Sequence, residues 1–272
     1  MVTALKRLGF DKVFDTNTGA DFTIMEEANE FIERVTNGGI LPMATSCCPA
    51  WVKFAEMNYP ELLEHLSSCK SPHEMFGAII KSYYAKENNI DPNKIFVVSV
   101  MPCIAKKFER TREDMQGVEN LDDVDSVITT RELARMIKQA NIEFNELPDS
   151  KFDNPMGEAT GAAAIFGVTG GVMEAALRTA SEKIEGKPLE KLEFKEVRGK
   201  EGIKKCNINI AGKKIRIAVV SGLKNAREMM EEIKSGKADF DFLEVMACPR
   251  WMYFRRRSTY KIIKNKKPGR CI

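Results

Sequence analysis

Two adjacent cysteines mark the stretch of the chain with the most specific chemistry. Cys47 and Cys48 stand in the run Thr45-Ser-Cys-Cys-Pro-Ala-Trp51, between a short apolar stretch and a segment with an apolar helical side. Pro49 suits the first turn of that helix. Backbone N–H groups and the helix dipole favour a thiolate at such a position, and a thiolate is the form of cysteine that binds metal. One pair alone is weak evidence, because a buried cysteine is usually only a small apolar residue.

Two further cysteines follow predicted strands in the same way. The β-branched run 96–101 leads into Pro102-Cys103, and the apolar run 240–247 leads into Cys248-Pro249. Open α/β sheets bind ligands at the carboxyl ends of their strands. Three strands that each end in cysteine beside proline therefore indicate one convergent, sulfur-rich site. We favour metal or cluster binding there over three unrelated packing roles.

A helical face supplies candidate proton carriers. Glu27, Glu30 and Arg34 are spaced i, i+3 and i+7 in a predicted helix over 21–36, so they share one face. Glutamates at such spacing are most often solvated. The shared face leads toward the strand before Cys47, which makes a proton relay conceivable.

The elements that position these residues alternate between strands and helices. Strands are predicted over 12–16, 40–44, 96–103, 124–129, 193–198, 206–210, 215–220 and 240–247, and Thr130 is predicted to cap a helix over 131–139. This alternation predicts an α/β fold of two lobes, 1–115 and 116–249, each a mainly parallel sheet flanked by helices, with the cluster site between them. The glycine-rich run 161–171 precedes a helix, where it either packs closely or cradles phosphate.

Composition excludes several classes of protein. The 272 residues carry a net charge of +3 with 30% charged residues spread along the chain, which gives no footprint for nucleic acid. No apolar run has the length of a membrane span, and no signal-peptide pattern is present. Seven cysteines, an odd number, favour a reducing cytoplasm and metal ligation over disulfides. Cys69 and Cys206 are interpreted as structural.

Taken together, four stretches resemble the catalytic domain of [FeFe]-hydrogenases over nearly the whole chain to residue 249. They are Thr45-Ser-Cys-Cys-Pro-Ala-Trp51, Met101-Pro-Cys-Ile-Ala-Lys-Lys-Phe-Glu109, Phe166-Gly-Val-Thr-Gly-Gly-Val-Met-Glu-Ala-Ala176 and Glu244-Val-Met-Ala-Cys-Pro249. The resemblance implies reversible reduction of protons to H₂ on an H-cluster. That cofactor is a [4Fe–4S] cubane joined through a cysteine sulfur to a two-iron unit with CO, cyanide and a bridging dithiolate amine.

The resemblance also implies roles for individual residues. The cubane ligands would be Cys48, Cys103 and Cys248. Cys47 would instead pass protons between the bridging amine and Glu27, Ser67 and Glu30, with Arg34 near the outer end. Lys106 would hydrogen-bond a cyanide. The residues around the two-iron unit would be Met101, Met246, Phe166, His73, which stands where the family contacts the distal iron, and Ala105, where many members have serine.

The chain departs from the family after Pro249. The third signature should continue as Gly-Gly-Cys and then Gly-Gly-Gly-Gln-Pro, whereas this chain continues with Arg250-Trp-Met-Tyr-Phe-Arg-Arg-Arg-Ser-Thr259. Met252 occupies the position of the cysteine that bridges the cubane to the two-iron unit, and a neutral thioether is a poor substitute for a bridging thiolate.

The genetic code offers an explanation for this departure. Trp-Met-Tyr is encoded only as TGG-ATG-TAY, and a shift of one base makes it GGA-TGT, Gly-Cys. A permitted encoding of Arg255–Thr259, AGG-AGG-AGG-TCA-ACC, shifts in the same way to Gly-Gly-Gly-Gln-Pro. We therefore interpret residues 250–272 as an aberrant basic tail that is out of frame. The alternative is a genuine basic tail for an anionic partner.

Further expectations concern the surroundings of the domain. The family has another strand and an Ala-Pro loop before the position of Met1, and we expect the chain to be truncated there. A ferredoxin-type electron carrier and maturation proteins are the expected partners. The alternative function is that of a non-catalytic [4Fe–4S] protein, like the hydrogenase-related factors of cytosolic iron–sulfur assembly. The retained Cys47, Lys106 and Met246 count against that alternative.

Overall fold

The structure is a computed structural model that describes residues 1–118, 120–154, 156–166, 170–186, 195–196, 202–210 and 212–248. Its described part divides into two compact units, each built from two separate stretches of chain. Unit 1 comprises residues 1–20 and 72–160, and unit 2 comprises 21–71 and 161–248. The predicted lobes, 1–115 and 116–249, are contiguous and do not coincide with these units, because strands from both ends of the chain join one sheet in unit 2.

Unit 2 holds a five-stranded sheet of order β1-β7-β6-β5-β4. Strands β1, β7 and β6 are parallel, whereas β6, β5 and β4 form an antiparallel meander. Met43 of β1 pairs with Phe242 of β7. The strands are β1 Met43–Ala44, β4 Lys195–Glu196, β5 Ile203–Ile210, β6 Lys213–Ser221 and β7 Phe242–Met246.

Helices cover both faces of this sheet, and each face has its own apolar core. One core joins Phe31, Met173 and Leu177 to Ile217 and Phe242. The other joins Trp51, Met229 and Phe240 to Ala218 and Leu243. Since neighbouring residues of one strand, such as 242 and 243, contribute to opposite cores, the sheet is buried on both faces. The helices of this unit are α3 Pro49–Asn58, a 3₁₀ turn Pro60–His65, α8 Gly161–Ile165, α9 Gly171–Glu185 and α10 Leu223–Lys234.

Unit 1 holds a two-stranded parallel sheet, in which Val98 of β2 pairs with Ser126 of β3. Ala4, Leu133 and Ile137 form one of its apolar clusters. Its elements are α1 Val2–Arg7, α4 Pro72–Ile79, a π-helical turn Ile80–Tyr84, α5 Ala85–Glu87, 3₁₀ turns Pro92–Lys94 and Phe144–Glu146, β2 Val98–Met101, α6 Lys106–Glu109, β3 Ser126–Thr129 and α7 Thr130–Gln139. Helix α2 spans Thr16–Asn37.

The predicted α/β class is confirmed, and several local predictions are corrected. Residues 12–16 are not a strand, because Asp15 accepts the Asn17 N–H at 3.0 Å and so starts α2 at Thr16. The cap of α7 is Thr129 and not Thr130. The Thr129 hydroxyl accepts the Glu132 N–H, and the Glu132 carboxylate accepts the Thr129 N–H. Within the described residues, no helix combines the length and apolar character needed to cross a membrane.

Candidate active site

The cysteine pair follows β1 at the edge where that strand meets β7. Cys48 is extended and immediately precedes α3, which begins at Pro49 as predicted. The Ala247 N–H, next to Cys248, lies 3.5 Å from the Cys48 sulfur and donates to it. Parallel pairing of β1 with β7 therefore brings Cys48 and the segment before Cys248 together in unit 2.

The Thr45 side chain ties this edge together. Its hydroxyl accepts the Val245 N–H at 3.3 Å, and its carbonyl accepts the Trp51 indole N–H at 2.9 Å. Trp51 is fully buried, and Cys47 is 8% exposed. The two cysteines thus sit on backbone that is held from both the strand side and the helix side.

Glu30 is the centre of a dense hydrogen-bond network in the same unit. Its carboxylate accepts from the Ser67 hydroxyl at 2.7 Å, from the Ser68 N–H at 3.0 Å and from the Arg34 guanidinium at 2.6 Å. Burial alone would raise the pKa of Glu30, but these three donors outweigh it and hold the pKa below the usual value. Arg34 also donates to the carbonyls of Glu64 and Leu66, at 3.1 and 2.8 Å. These donors therefore fix the Glu30 carboxylate in place and favour its ionised form.

Glu27 is the opposite case, one turn earlier on α2. It is 1% exposed, and its Oε2 has no hydrogen-bond partner among the residues that the structure describes. Burial, followed by the charges of Glu30 and Glu244, raises the pKa of Glu27 to about 8, although the Ser67 hydroxyl opposes the shift. Burial and charge thus shift the pKa values of these two neighbouring carboxyl groups in opposite directions.

Two residues of this neighbourhood were not predicted to be functional. The Cys69 thiol, interpreted as structural, lies 3.7 Å from Glu30 Oε2, and the Cys69 N–H donates to the Ser67 hydroxyl at 3.2 Å. Burial, followed by the Glu27 charge, raises the pKa of Cys69 to about 12, so it remains a thiol. Its position two residues after Ser67 was the available signal.

Glu244 is the second such residue. It is fully buried on β7, and its carboxylate accepts the N–H groups of Gly170 and Met173, at 2.9 and 3.0 Å, at the start of α9. Burial raises the pKa of Glu244 to about 7. The strand-to-helix bond ties β7, just before Met246 and Cys248, to α9, and a buried glutamate in an apolar strand was the signal in the sequence.

Unit 1 contains a separate buried cluster around Glu109. The Lys106 ammonium and His73 Nε2 both contact Glu109 Oε2, at 2.7 and 2.6 Å, and His73 Nδ1 lies 3.1 Å from the Ser99 hydroxyl. Burial alone would raise the pKa of Glu109, but the charge of Lys106 and the contact with His73 lower it to about 2. Burial, followed by the Lys106 charge, lowers the pKa of His73. Neither Glu109 nor Ser99 was predicted.

The other predicted site residues lie at or close to the ends of helices and strands. In unit 1, Met101 is buried at the end of β2, Cys103 follows it half-buried, and Ala105 immediately precedes α6. In unit 2, Phe166 is buried just after α8, and Met246 ends β7 half-buried. The substituted tail, 250–272 with Met252, and three residues of the glycine-rich run, 167–169, lie outside the described residues.

The residues present suit an iron–sulfur group. Thiolates are the protein ligands of [4Fe–4S] clusters, and hydrogen bonds to the ligand sulfurs tune such clusters. The Cys48 sulfur already accepts one such bond from the Ala247 N–H. Cys48, Cys103 and Cys248 are half-buried cysteines, and none of them forms a disulfide among the residues that the structure describes.

Comparison with known proteins agrees with this chemistry. The profile of the family "Iron only hydrogenase large subunit, C-terminal domain" matches residues 1–250. The chain is 53% identical to iron hydrogenase 1 of Clostridium pasteurianum over 90% of this chain and 43% of that protein. It is 50% identical to the periplasmic [Fe] hydrogenase large subunit of Nitratidesulfovibrio vulgaris, over 92% of this chain and 59% of that one. The chain thus spans less than two thirds of either relative.

Solved structures and a more distant relative give the same picture. The fold matches apo [FeFe]-hydrogenase HydA1 from Chlamydomonas reinhardtii with a TM-score of 0.80 and 40% identity, over 94% of this chain and 75% of that one. A cytosolic Fe–S cluster assembly factor of Xenopus tropicalis is 34% identical over 90% of this chain and 53% of its own length. The match over residues 1–250 and these identities establish that the chain belongs to the iron-only hydrogenase family, as the C-terminal domain of the large subunit.

Proposed function

We propose that this domain catalyses the reversible formation of H₂ from protons and electrons. The observation that carries the proposal is Glu27, a carboxyl that is 1% exposed and whose pKa is raised to about 8 by its burial. It lies in a hydrogen-bonded set with Ser67 and Glu30, in the unit that also carries the cysteine pair. A protein that merely stores a cubane has no need of a buried acid with a raised pKa beside its cysteines.

The residues that would hold the H-cluster follow from the family resemblance. Cys48, Cys103 and Cys248 would bind the cubane, and Lys106 would donate a hydrogen bond to a cyanide of the two-iron unit. Met101, Met246 and Phe166 would surround that unit, together with Ala105 and the neighbourhood of His73. When bound, the H-cluster supplies the redox chemistry that joins two protons and two electrons to H₂. The electrons would come from a ferredoxin-type carrier.

The protein's own part would be the delivery of protons. Arg34 and the backbone hold Glu30 as a carboxylate at the outer end, where it can accept a proton. The Ser67 hydroxyl donates to Glu30 Oε2 and also acts on Glu27, so it can hand a proton between the two. Glu27 would release its proton toward the Cys47 thiol, which would act as the last carrier. Cys47 would therefore not be a cluster ligand.

The substituted third signature limits this activity in the chain as it stands. The family match ends at residue 250, where Met252 and its neighbours depart from the expected motif. Without a bridging cysteine the chain would hold a labile cubane on three thiolates and no two-iron unit. Sequencing the gene across codons 245–262 would decide between an out-of-frame tail and a genuine one.

The direct test restores the neighbouring frame after Pro249. The restored protein is loaded anaerobically with cubane and a synthetic two-iron cofactor, and H₂ is measured. We expect H₂ from the restored protein, and neither H₂ nor CO and cyanide infrared bands from the chain with residues 250–272 as printed. A cluster-loaded, restored protein that makes no H₂ would contradict the proposal.

Two substitutions then test the proton carriers. Glu27→Gln should lower turnover by about 10²–10⁴-fold, whereas Glu26→Gln, at an exposed neighbour, should leave it unchanged. Cys47→Ala should abolish turnover and leave the iron content of the cubane largely intact. Loss of cubane iron together with turnover would show that Cys47 is a ligand.

The alternative is a non-catalytic [4Fe–4S] protein of the iron–sulfur assembly type. It is favoured by the 34% identity to the Xenopus tropicalis assembly factor over the same part of the chain. A genuine, in-frame tail would strengthen it. It predicts that the restored protein binds a cubane but shows no cyanide bands after exposure to the two-iron cofactor.

A further inference from the structure

The buried cluster of unit 1 contains a histidine with both ring nitrogens engaged. His73 Nε2 lies 2.6 Å from Glu109 Oε2 and 3.3 Å from Glu74 Oε1, and Nδ1 lies 3.1 Å from the Ser99 hydroxyl. The Lys106 ammonium contacts the same Glu109 oxygen at 2.7 Å. The side chains of His73 and Glu109 are 2% and 3% exposed. A carboxylate oxygen is therefore shared by an imidazole and an ammonium in a site nearly closed to water.

The chemistry of the partners fixes the direction of each bond. An ionised Glu109 can only accept, so His73 Nε2 must carry a proton and donate to it. The His73 ring is neutral, because burial and the Lys106 charge disfavour a second positive charge. A neutral imidazole with a proton on Nε2 accepts at Nδ1, and the Ser99 hydroxyl is the donor there. Ser99 belongs to β2, which ends two residues later at Met101.

A metal ion is the first alternative occupant of this cluster. One ligand atom each from His73, Glu74 and Glu109 lie within 4.8 Å of one another, and all three residues are buried. However, the Glu109 oxygen available to such an ion is already bonded to the Lys106 ammonium. A divalent cation there would be placed against a buried positive charge at close range. The ammonium supplies the charge that a metal would bring, so the cluster is an ion pair and not a metal site.

We propose that His73 is a positioning residue for Lys106, acting through the Glu109 carboxylate. An ammonium has three N–H bonds in a fixed geometry, so the bond to Glu109 sets the directions in which the other two point. His73 in turn holds the Glu109 oxygen, and Ser99 anchors His73 to β2. The proposal deepens the proposed function, in which Lys106 would meet a cyanide. It replaces the expectation that His73 itself contacts the cofactor.

Nuclear magnetic resonance of the cofactor-free chain tests the proposal without any H₂ chemistry. The readout is the exchange of the Lys106 ammonium protons with water, which a held, buried hydrogen bond slows. His73→Leu removes the hydrogen bond from His73 to the charged Glu109 carboxylate. The loss of one such bond should accelerate the exchange at Lys106 by at least about tenfold. His73→Gln should stay within about threefold of the parent, because its amide can donate to Glu109 and accept from Ser99.

Lys81 is an internal control for folding. Its ammonium is also buried in unit 1, where it contacts Asp125 at 2.7 Å and the Asp122 carbonyl at 2.6 Å, and neither partner is a residue of the Glu109 cluster. Its exchange should be the same in all three proteins. Unchanged Lys106 exchange in His73→Leu would overturn the proposal. Equal acceleration at Lys81 and Lys106 would also overturn it, since His73 would then only stabilise the fold.

The ring itself gives a second readout. The chain has only two histidines, so His65→Gln assigns the imidazole ¹⁵N signals. We expect the His73 signals of a neutral ring protonated at Nε2, and a proton on Nδ1 alone would overturn the proposal. If the restored protein makes no H₂ while both readouts are as expected, the proposed function fails and the role of His73 stands.

Discussion

Glu27 in unit 2 and Glu109 in unit 1 are both buried carboxyl groups, with 1% and 2% exposure, yet their pKa values are shifted in opposite directions. Burial raises the pKa of Glu27 to about 8, and the charged groups that act on it, Glu30 and Glu244, raise it further. Glu109 shares one oxygen with Lys106 and His73, and its pKa falls to about 2. Burial is common to both, so the cation at hydrogen-bond distance decides the outcome.

The difference separates two roles. A protonated acid such as Glu27 can give up a proton near neutral pH, which suits a carrier. An ionised, doubly held carboxylate such as Glu109 does not titrate near neutral pH and instead fixes the groups bonded to it. The two units thus supply a mobile proton and a rigid anchor from the same residue type.

Removing the Lys106 ammonium should have the largest effect on the stability of the fold. Lys106→Met leaves Glu109 buried without its ion-pair partner, which should lower the free energy of unfolding by about 3–5 kcal/mol. Urea denaturation measures it. The matched control is Lys107→Met on the same helix, whose partner Glu132 is 38% exposed. Because solvent screens this exposed pair, Lys107→Met should lower the free energy of unfolding far less than Lys106→Met, and equal losses for the two variants would contradict the anchor role.

The dependence of stability on pH should reveal the raised pKa of Glu27. Between pH 4.5 and 8 the folded chain keeps the Glu27 proton while the unfolded chain loses it, so stability falls as the pH rises through this window. This group contributes a slope of at most about 1.4 kcal/mol per pH unit. Glu27→Gln should flatten the curve there. An identical slope in the variant would mean that Glu27 is already ionised in the folded protein.

Below pH 4.5 the contribution of Glu109 changes stability in the opposite direction. The pKa of Glu109 is depressed, so its contribution is present above pH 4.5 and is lost as the pH falls toward 2. Acid unfolding of Glu27→Gln should therefore retain the acid limb of the parent curve.

A smaller effect is expected at the link between the two glutamates of unit 2. Ser67→Ala removes the hydroxyl that donates to Glu30 at 2.7 Å, and it should cost about 1.5–3 kcal/mol. Ser68→Ala is the control, because Ser68 contacts Glu30 through its backbone N–H and the substitution keeps that group. A loss of stability as large in Ser68→Ala would contradict this account of the Glu30 network.

The sequence predicted the cysteine-bearing elements well because their patterns are local. The β-branched run before Pro102 and the apolar run before Cys248 each form a strand close to the predicted position. The i, i+3, i+7 spacing on α2 correctly placed Glu30 and Arg34 on one face, where they form an ion pair at 2.6 Å. Periodicity suffices where one element determines the geometry.

Features that depend on distant segments were missed or only partly predicted. The sheet of unit 2 contains an antiparallel meander of β6, β5 and β4, whereas the sequence predicted a mainly parallel sheet. Gly212, which has a φ of +78° between β5 and β6, is the residue that indicates a hairpin turn there. Lys106 and Glu109 resemble a solvated i, i+3 pair, and only the fold buries them against His73. The protonation of Glu27 likewise depends on Glu244, which is 217 positions later in the chain.

Infrared difference spectroscopy of the cofactor-free chain can show whether Glu27 holds a proton at neutral pH. Subtracting the spectrum of Glu27→Gln from that of the parent isolates the Glu27 carboxyl from Glu244, whose pKa is also raised. We predict a protonated carboxylic acid band in this difference at pH 6, which disappears with a midpoint near 8. A carboxylate signal in the difference already at pH 6 would contradict the account.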